Sequence, residues 1–155
     1  MAILNIVKTG DDILKKRSRP VEKIDDRVLR LLDDMKDTLA EAQGAGLAAV
    51  QVGILKRIVI IDVGDGPIEM INPEVISTKG TREVYEGCLS FPGVWVVKNR
   101  PVKVTGKALD RNGNEVIYED MEGLMAQAFC HETDHLNGTV MTDDIVRYVE
   151  EGELE

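Results

Sequence analysis

EGLMAQAFCHETDHL, residues 122–136, is typical of a single helix, and the predicted fold is arranged around it. Asn137-Gly138 follows it and supplies a left-handed stop. His131 and His135 are four residues apart, so at 100° per residue their imidazoles lie within about 40° of one another on one helix face. This HExxH spacing allows both rings to bind one metal ion.

Glu132 lies beside the first histidine and is the predicted general base. A carboxylate there can take a proton from water that a metal ion has acidified and pass it to a leaving nitrogen. The five-residue pattern also occurs by chance, but the chain has only two histidines and both fall inside it. The presence of both histidines in this one motif favours a metal-dependent hydrolase.

A catalytic metal site needs a third protein ligand and an open position. Asp143 and Asp144 follow the helix so closely that folding back onto the same helix face is difficult. Cys88, in the glycine-containing break EGCLS at 86–90, is the better candidate, with a buried apolar cysteine as the alternative interpretation. Cys130 points about 100° away from the neighbouring histidine and is predicted to lie in the core.

The stretch GAGLAAVQVG, residues 44–53, is rich in small residues, which let the backbone approach a ligand or another helix. It lacks the Gly-Lys-Ser/Thr of a phosphate loop. Gln51 is a candidate amide donor for an oxyanion.

The flanking sequence predicts an α+β fold in the order helix, strands, helix. An apolar stripe over 25–43 indicates an amphipathic helix that ends at Gly44 and Gly46. Asn112-Gly113 indicates a hairpin turn. The predicted strands are 57–63, 67–71, 94–97, 102–109 and 116–118.

Composition sets outer limits on the function. The 155 residues suit one domain, spanning 1–155, and 19 basic against 28 acidic residues leave a net charge of −9, which argues against nucleic-acid binding. No apolar run approaches the roughly 18 residues of a membrane span, and the first residues lack a secretory signal, so we expect a cytoplasmic protein. The acidic segment 150–155 is expected to be solvated.

Three segments, GAGLAAVQ at 44–51, EGCLS at 86–90 and HETDH at 131–135, resemble the signature motifs of peptide deformylase, in the same order. The resemblance extends from about Leu14 to Asp143. It implies hydrolysis of the N-formyl group from the N-terminal formylmethionine of new polypeptides, releasing formate. It also implies antiparallel or mixed sheets around a central C-terminal helix that carries HExxH.

The resemblance further implies a role for each matching residue. Cys88, His131 and His135 would hold the metal, usually Fe²⁺, with Zn²⁺, Ni²⁺ or Co²⁺ as substitutes. Glu132 would be the general base and acid. Thiolate and imidazole ligands suit these ions, although affinity alone does not select iron.

Binding of the substrate is assigned in the same way. Gln51 and the backbone N–H of Leu89 would bind the oxyanion, and Ala45 and Gly46 would align the substrate chain. The residues expected to surround the methionine side chain are Val84, Leu124 and Ala128, with Trp95 farther out.

Carboxylates around the ligands are expected to orient the imidazoles. Glu86 and Asp134 are the candidates, with Arg100 as their counter-ion and ordinary surface carboxylates as the alternative. Cys130 departs from the family's usual Gln before the first histidine, which places an additional oxidisable thiol beside the site.

Nascent formyl-Met polypeptides are the expected partners, with no DNA and no membrane. Many relatives continue into a basic C-terminal helix that contacts the ribosome, whereas this sequence ends in acidic residues. Any ribosome contact is therefore expected to be transient and to lack that helix.

Two other functions remain open at this point. A metallopeptidase with HExxH would take an oxygen or nitrogen third ligand, so Cys88→Ala would leave its activity nearly intact. A closed structural metal site or an inactive relative would serve as a binding module. Formate release that is lost in Glu132→Ala with the metal retained would rule out the module.

Overall fold

The computed structural model describes residues 2–154 and contains two α-helices, which lie near the two ends of the chain. They are α1, Asp26–Ala42, and α2, Gly123–Leu136. Short 3₁₀ turns occupy Asp12–Lys15 and Ala49–Val52. The strands are β1 Gly46–Ala48, β2 Ile58–Ile61, β3 Ile68–Lys79, β4 Arg82–Cys88, β5 Phe91–Arg100, β6 Lys103–Leu109, β7 Glu115–Glu122 and β8 Arg147–Tyr148.

The strands form two antiparallel sheets. One has the order β1-β2-β3-β6-β7, and the other has the order β4-β5-β8. Helix α2 contacts strands of both sheets, so the HExxH segment lies between them. The predicted α+β architecture is confirmed.

Helix α1 begins where the Asp25 side chain accepts a hydrogen bond from the Val28 backbone N–H at 3.0 Å. This is an N-cap, which satisfies one of the free amides of the first turn. Its apolar stripe packs against buried residues of β1 and β2, including Leu47 and Ile60. The helix ends at Gln43, which takes the left-handed conformation with φ 56°, so the prediction that the following glycines end it is wrong by one residue.

Helix α2 matches its predicted span to within one residue. Its left-handed stop is Gly138, with φ 79°, while Asn137 keeps a negative φ of −93°. A side chain at Gly138 would also collide with the backbone, because a Cβ there would lie 2.6 Å from the Lys15 carbonyl oxygen. Nearly all of the second half of α2 is buried.

Two local predictions are confirmed with added detail. Asn112-Gly113 lies in the hairpin turn between β6 and β7, where only Gly113 takes a positive φ and the Asp110 side chain accepts hydrogen bonds from the backbone N–H of Asn112 and of Asn114. The acidic segment is largely exposed, and its half-buried Glu153 pairs with Arg147 through both carboxylate oxygens. Its last residue, 155, lies outside the described residues.

Within residues 2–154, neither helix combines the length and the apolar character that crossing a membrane requires.

Candidate active site

Cys88, His131 and His135 meet where the end of β4 reaches α2. Cys88 is the last residue of β4, at a register irregularity in its pairing with β5. The two histidines lie one turn apart on the buried face of α2, as their spacing predicted. Chain segments more than forty positions apart therefore supply one cluster.

The three side chains present their ligand atoms to one another. The Cys88 Sγ lies 3.3 Å from the His135 Nε2, and the two histidine Nε2 atoms lie 3.2 Å apart. One ligand atom from each residue lies within 4.8 Å of the others. Burial and the neighbouring His131 lower the pKa of His135 well below its ordinary value, which favours the neutral, ligating imidazole.

Glu86 fixes the ring of His131 from behind. Its Oε2 lies 2.9 Å from the His131 Nδ1 and accepts the proton there, which leaves the Nε2 lone pair facing the cluster. Arg100 holds Glu86 through Nε and Nη2, at 2.9 and 2.7 Å. Burial alone would raise the pKa of Glu86, but the hydrogen bonds from His131 and Arg100 outweigh it and lower the pKa to about 2.

Asp134 was expected to orient an imidazole, but it binds Arg100 instead. Its Oδ2 accepts a hydrogen bond from the Arg100 Nη1 at 2.7 Å and does not contact either imidazole among the described residues. Asp134 therefore anchors Arg100, and Glu86 alone orients a histidine.

Glu132 is almost completely buried beside the cluster, with 3% of its surface exposed. Its Oε2 lies 4.0 Å from the His131 Nε2, and its Oε1 has no hydrogen-bond partner within residues 2–154. Burial raises the pKa of Glu132 to about 7, although the neighbouring His131 opposes this. A buried carboxylate oxygen without a partner implies that another molecule completes its hydrogen bonds.

Gln51 connects the small-residue segment to the strand that carries Cys88. Its Oε1 accepts a hydrogen bond from the Ala48 backbone N–H at 2.9 Å, which orients the amide. Its Nε2 lies 3.1 Å from the Ser90 Oγ and 3.6 Å from the Cys88 Sγ. The contact of Ser90 with Gln51 was not predicted from the sequence. The only signal for it was the position of Ser90 two residues after Cys88.

A cavity of about 370 Å³ opens beside the cluster. Ala45, Gly46 and Leu89 line it, and so do most of the residues expected to receive substrate. Gln127, which sequence reasoning missed, also lines it and donates a hydrogen bond from Nε2 to the Tyr85 carbonyl at 2.8 Å. The residues expected around the methionine side chain that line the cavity are Leu124, Ala128 and Trp95.

Val84 does not line this cavity among the described residues, in contrast to the expectation from the sequence. It is buried on β4 opposite Lys98 of β5, and the cavity begins one residue later, at Tyr85. Cys130 lies in the apolar core as predicted, and burial raises the pKa of its thiol to about 11.

The donor set fits a divalent transition metal. A thiolate and two imidazoles on one side of an open cavity leave room for a further ligand, as catalytic sites require. Asp143 does not join the cluster, because its Oδ2 accepts a hydrogen bond from the Val140 backbone N–H at 3.0 Å. A candidate transition-metal site beside a buried carboxylate and an open cavity is the arrangement typical of the class of metal-dependent hydrolases.

Comparison with known proteins identifies the family. The model of the polypeptide deformylase family matches residues 3–151. A peptide deformylase of Caldicellulosiruptor bescii is 54% identical over 155 residues, which are 100% of this chain and 93% of that protein. The chain belongs to the polypeptide deformylase family, which confirms the resemblance seen in the three motifs and makes the chain an amide-hydrolysing enzyme.

Solved structures agree with this assignment. The crystal structure of peptide deformylase from Thermotoga maritima is 40% identical, with a TM-score of 0.90, and the match covers 94% of this chain and 99% of that one. Peptide deformylase from Ehrlichia chaffeensis in complex with actinonin is 39% identical, with a TM-score of 0.89, and the match covers 97% and 91%.

Proposed function

We propose that this chain acts as a single catalytic domain that hydrolyses the N-formyl group of N-terminal formylmethionine on newly synthesised polypeptides. The products are formate and a free amino terminus. The observation that carries the proposal is the Cys88, His131 and His135 cluster with Glu132 buried beside it, next to one cavity that Cys88, His131 and Glu132 line.

The three ligands would hold Fe²⁺ in the cell, with Zn²⁺, Ni²⁺ or Co²⁺ as substitutes, because thiolate and imidazole together suit all four ions. Such an ion, when bound, supplies Lewis acidity toward an oxygen of the substrate and lowers the pKa of water. The chain supplies the remaining chemistry through its own side chains.

Glu132 takes the proton from the attacking water and delivers it to the leaving nitrogen. Its unpartnered Oε1 is the oxygen available for this transfer. Negative charge that develops on the formyl oxygen is met by the Gln51 Nε2 and the backbone N–H of Leu89. The hydrogen bond from Ala48 to the Gln51 Oε1 keeps this donor oriented before the substrate arrives.

The substrate backbone would extend along β1, with Ala45 and Gly46 aligning it. β1 is an edge of the five-stranded sheet, and edge strands offer free backbone groups to an extended peptide. Leu124 and Ala128 would contact the methionine side chain, and Trp95 would contact residues farther along the peptide.

Formate release from a formyl-Met peptide tests the proposal. In Glu132→Gln we expect kcat to fall by about 10²–10⁴-fold, the usual contribution of a general acid–base, with the metal retained. Cys88→Ala should lose both metal and activity. Cys130→Ala is the matched control, since its thiol lies in the core, and it should keep both. Full metal content and activity in Cys88→Ala would show that Cys88 is not the third ligand, whereas peptide cleavage without formate release would favour the metallopeptidase.

The identity of the metal needs a separate measurement. Fe²⁺ beside a thiolate is sensitive to oxidation, so protein purified without air should be more active than the same protein after exposure to air. Equal activities would favour Zn²⁺.

We expect the enzyme to meet nascent chains in the cytoplasm, with only transient contact to the anionic ribosome, because its own net charge is −9. Co-sedimentation with ribosomes at low salt tests this, and stable binding would contradict it.

A further inference from the structure

Gly46 lies against the carboxylate of Glu132, so closely that no other residue fits there without displacing it. A Cβ at Gly46 would lie 2.5 Å from the Glu132 Oε2 and 2.9 Å from its Cγ and Cδ. Heavy atoms of this kind pack at about 3.5–4.0 Å, so a methyl group at this position would force the carboxylate to move.

The backbone of Gly46 does not itself require glycine. Its φ lies outside the left-handed region, unlike that of Gly53, whose φ is 83° and whose Cβ would meet nothing within 4 Å. Glycine at 53 serves a turn. Glycine at 46 leaves room for the side chain of Glu132.

Hydrogen bonds among the described residues do not fix the position of the Glu132 carboxylate. Its Oε1 has no hydrogen-bond partner within residues 2–154, and its Oε2 is 4.0 Å from the His131 Nε2, beyond hydrogen-bond distance. The backbone of Gly46, by contrast, is fixed by pairing with Ile61 of β2. The rigid strand therefore forms a wall for a flexible side chain.

We propose that Gly46 is a positioning residue: the absence of its side chain sets the place of the Glu132 carboxylate, in addition to any contact of its backbone with substrate. The inference rests on the role of Glu132 in the proposed function. A methyl group at 46 displaces the end of a flexible side chain, so the effect on catalysis should exceed the effect on folding.

Gly46→Ala separates the two roles by kinetics. A misplacement of about 1 Å at a catalytic group can cost about 100-fold, so we expect kcat to fall by about that factor. Loss of a backbone contact that binds substrate and transition state equally would raise KM with kcat unchanged, whereas a displaced base lowers kcat with KM within about threefold. Bound metal should be unchanged. A rise in KM at constant kcat would overturn the proposal.

A thermal-unfolding cycle tests the contact without any activity. Gly46→Ala should lower Tm by a few degrees in the unaltered protein but not in the Glu132→Ala background, where the added methyl group enters vacated space. If Gly46→Ala alone fails to fold, Glu132→Ala should restore folding. Equal losses of Tm in both backgrounds, or no restored folding, would overturn the proposal.

Gly44→Ala is the matched control for this cycle. A Cβ at Gly44 would lie 2.8 Å from the Leu89 Cδ1 and 3.2 Å from the Leu39 Cδ1, and none of its three nearest atoms belongs to Glu132. Its effect on Tm should therefore be the same with and without Glu132→Ala. If the unaltered protein released no formate, the proposed function would fail, while the Tm cycle would still decide the contact between Gly46 and Glu132.

Discussion

Two arginines in this chain bind carboxylates in the same way but at different depths. Arg100, at the end of β5, joins Glu86 of β4 to Asp134 of α2. Arg111, in the β6–β7 turn, joins Glu69 of β3 to Asp33 of α1. Each arginine thus connects a strand to a helix.

The two networks differ in burial. Arg100, Glu86 and Asp134 form the inner network, and Arg111, Glu69 and Asp33 form the outer network. The side chains of Arg100 and Glu86 are 7% and 3% exposed, whereas those of Arg111 and Glu69 are 34% and 15% exposed. Removing charges from water is costly, and a buried pair often stabilises a fold no better than apolar residues would. The inner network is therefore better explained by its hydrogen bond to His131 than by stability. The outer network only ties α1 to the sheet.

The largest difference is expected when each arginine is lost. Arg100→Met leaves the charge of Glu86 buried without its counter-ion, which costs about 3–5 kcal/mol of unfolding free energy. Urea unfolding of the metal-free protein measures this. Arg111→Met is the matched control, since it makes the same change in the outer network. A loss below about 1 kcal/mol for Arg100→Met would show that depth is not what distinguishes the two.

The next effect concerns the metal. Glu86→Gln keeps the shape of the side chain but removes the charge that holds the His131 Nδ1 proton. Loss of such a partner typically weakens metal binding by about 10–100-fold, which competition with a chelator would measure. The same substitution at Glu69 should leave metal affinity unchanged. Unchanged affinity in Glu86→Gln would mean that packing alone orients His131.

A smaller effect is expected for the outer network itself. Its partly exposed pair should have a coupling energy of about 0.2–1 kcal/mol, which a double-mutant cycle with Arg111→Met and Glu69→Gln would measure by urea unfolding. Deformylase activity should be unchanged in both variants. Reduced activity in either one would show that the outer network also supports the site.

The same contrast between local and long-range interactions explains which parts of the fold were predictable. Helix α2 was predicted to within one residue because its signals, HExxH and Gly138, are local. Strand β3 was predicted to end at 71. In the structure Asn72 takes φ 51° and the register with β6 shifts there, so the strand continues through a bulge to Lys79.

The site shows a similar division. The positions of Cys88 and Gln51 were inferred from motifs, and the structure brings both to the cavity. Ser90 and Gln127 were missed because their partners lie about 40 positions away in the sequence. Val84 was expected to line the cavity, and it shares its face of β4 with Glu86, but the sequence does not report how far along the strand the cavity extends. Such contacts depend on pairing between distant segments.

The smallest effect sharpens the comparison through pH. Hydrogen bonding to Arg111 lowers the pKa of Glu69 below its ordinary value of 4.5, although burial opposes this. A carboxylate with a lowered folded pKa binds fewer protons in the folded state, so its contribution to stability is present above about pH 4.5 and is lost as the pH falls through the folded value.

The free energy of unfolding of the unaltered protein should therefore exceed that of Glu69→Gln at pH 7. The difference should be below about 1 kcal/mol, because Arg111 is partly exposed. This difference should shrink as the pH falls below about 4.5 and through the lowered pKa of Glu69, and it should also fall in 1 M salt, which screens exposed charges. Glu119→Gln, at an exposed carboxylate outside both networks, is the control and should show no such trend. A difference in unfolding free energy that grew on acidification would contradict this prediction. The charge of Glu69 would then destabilise the folded protein, an effect expected only for the buried charges of the inner network.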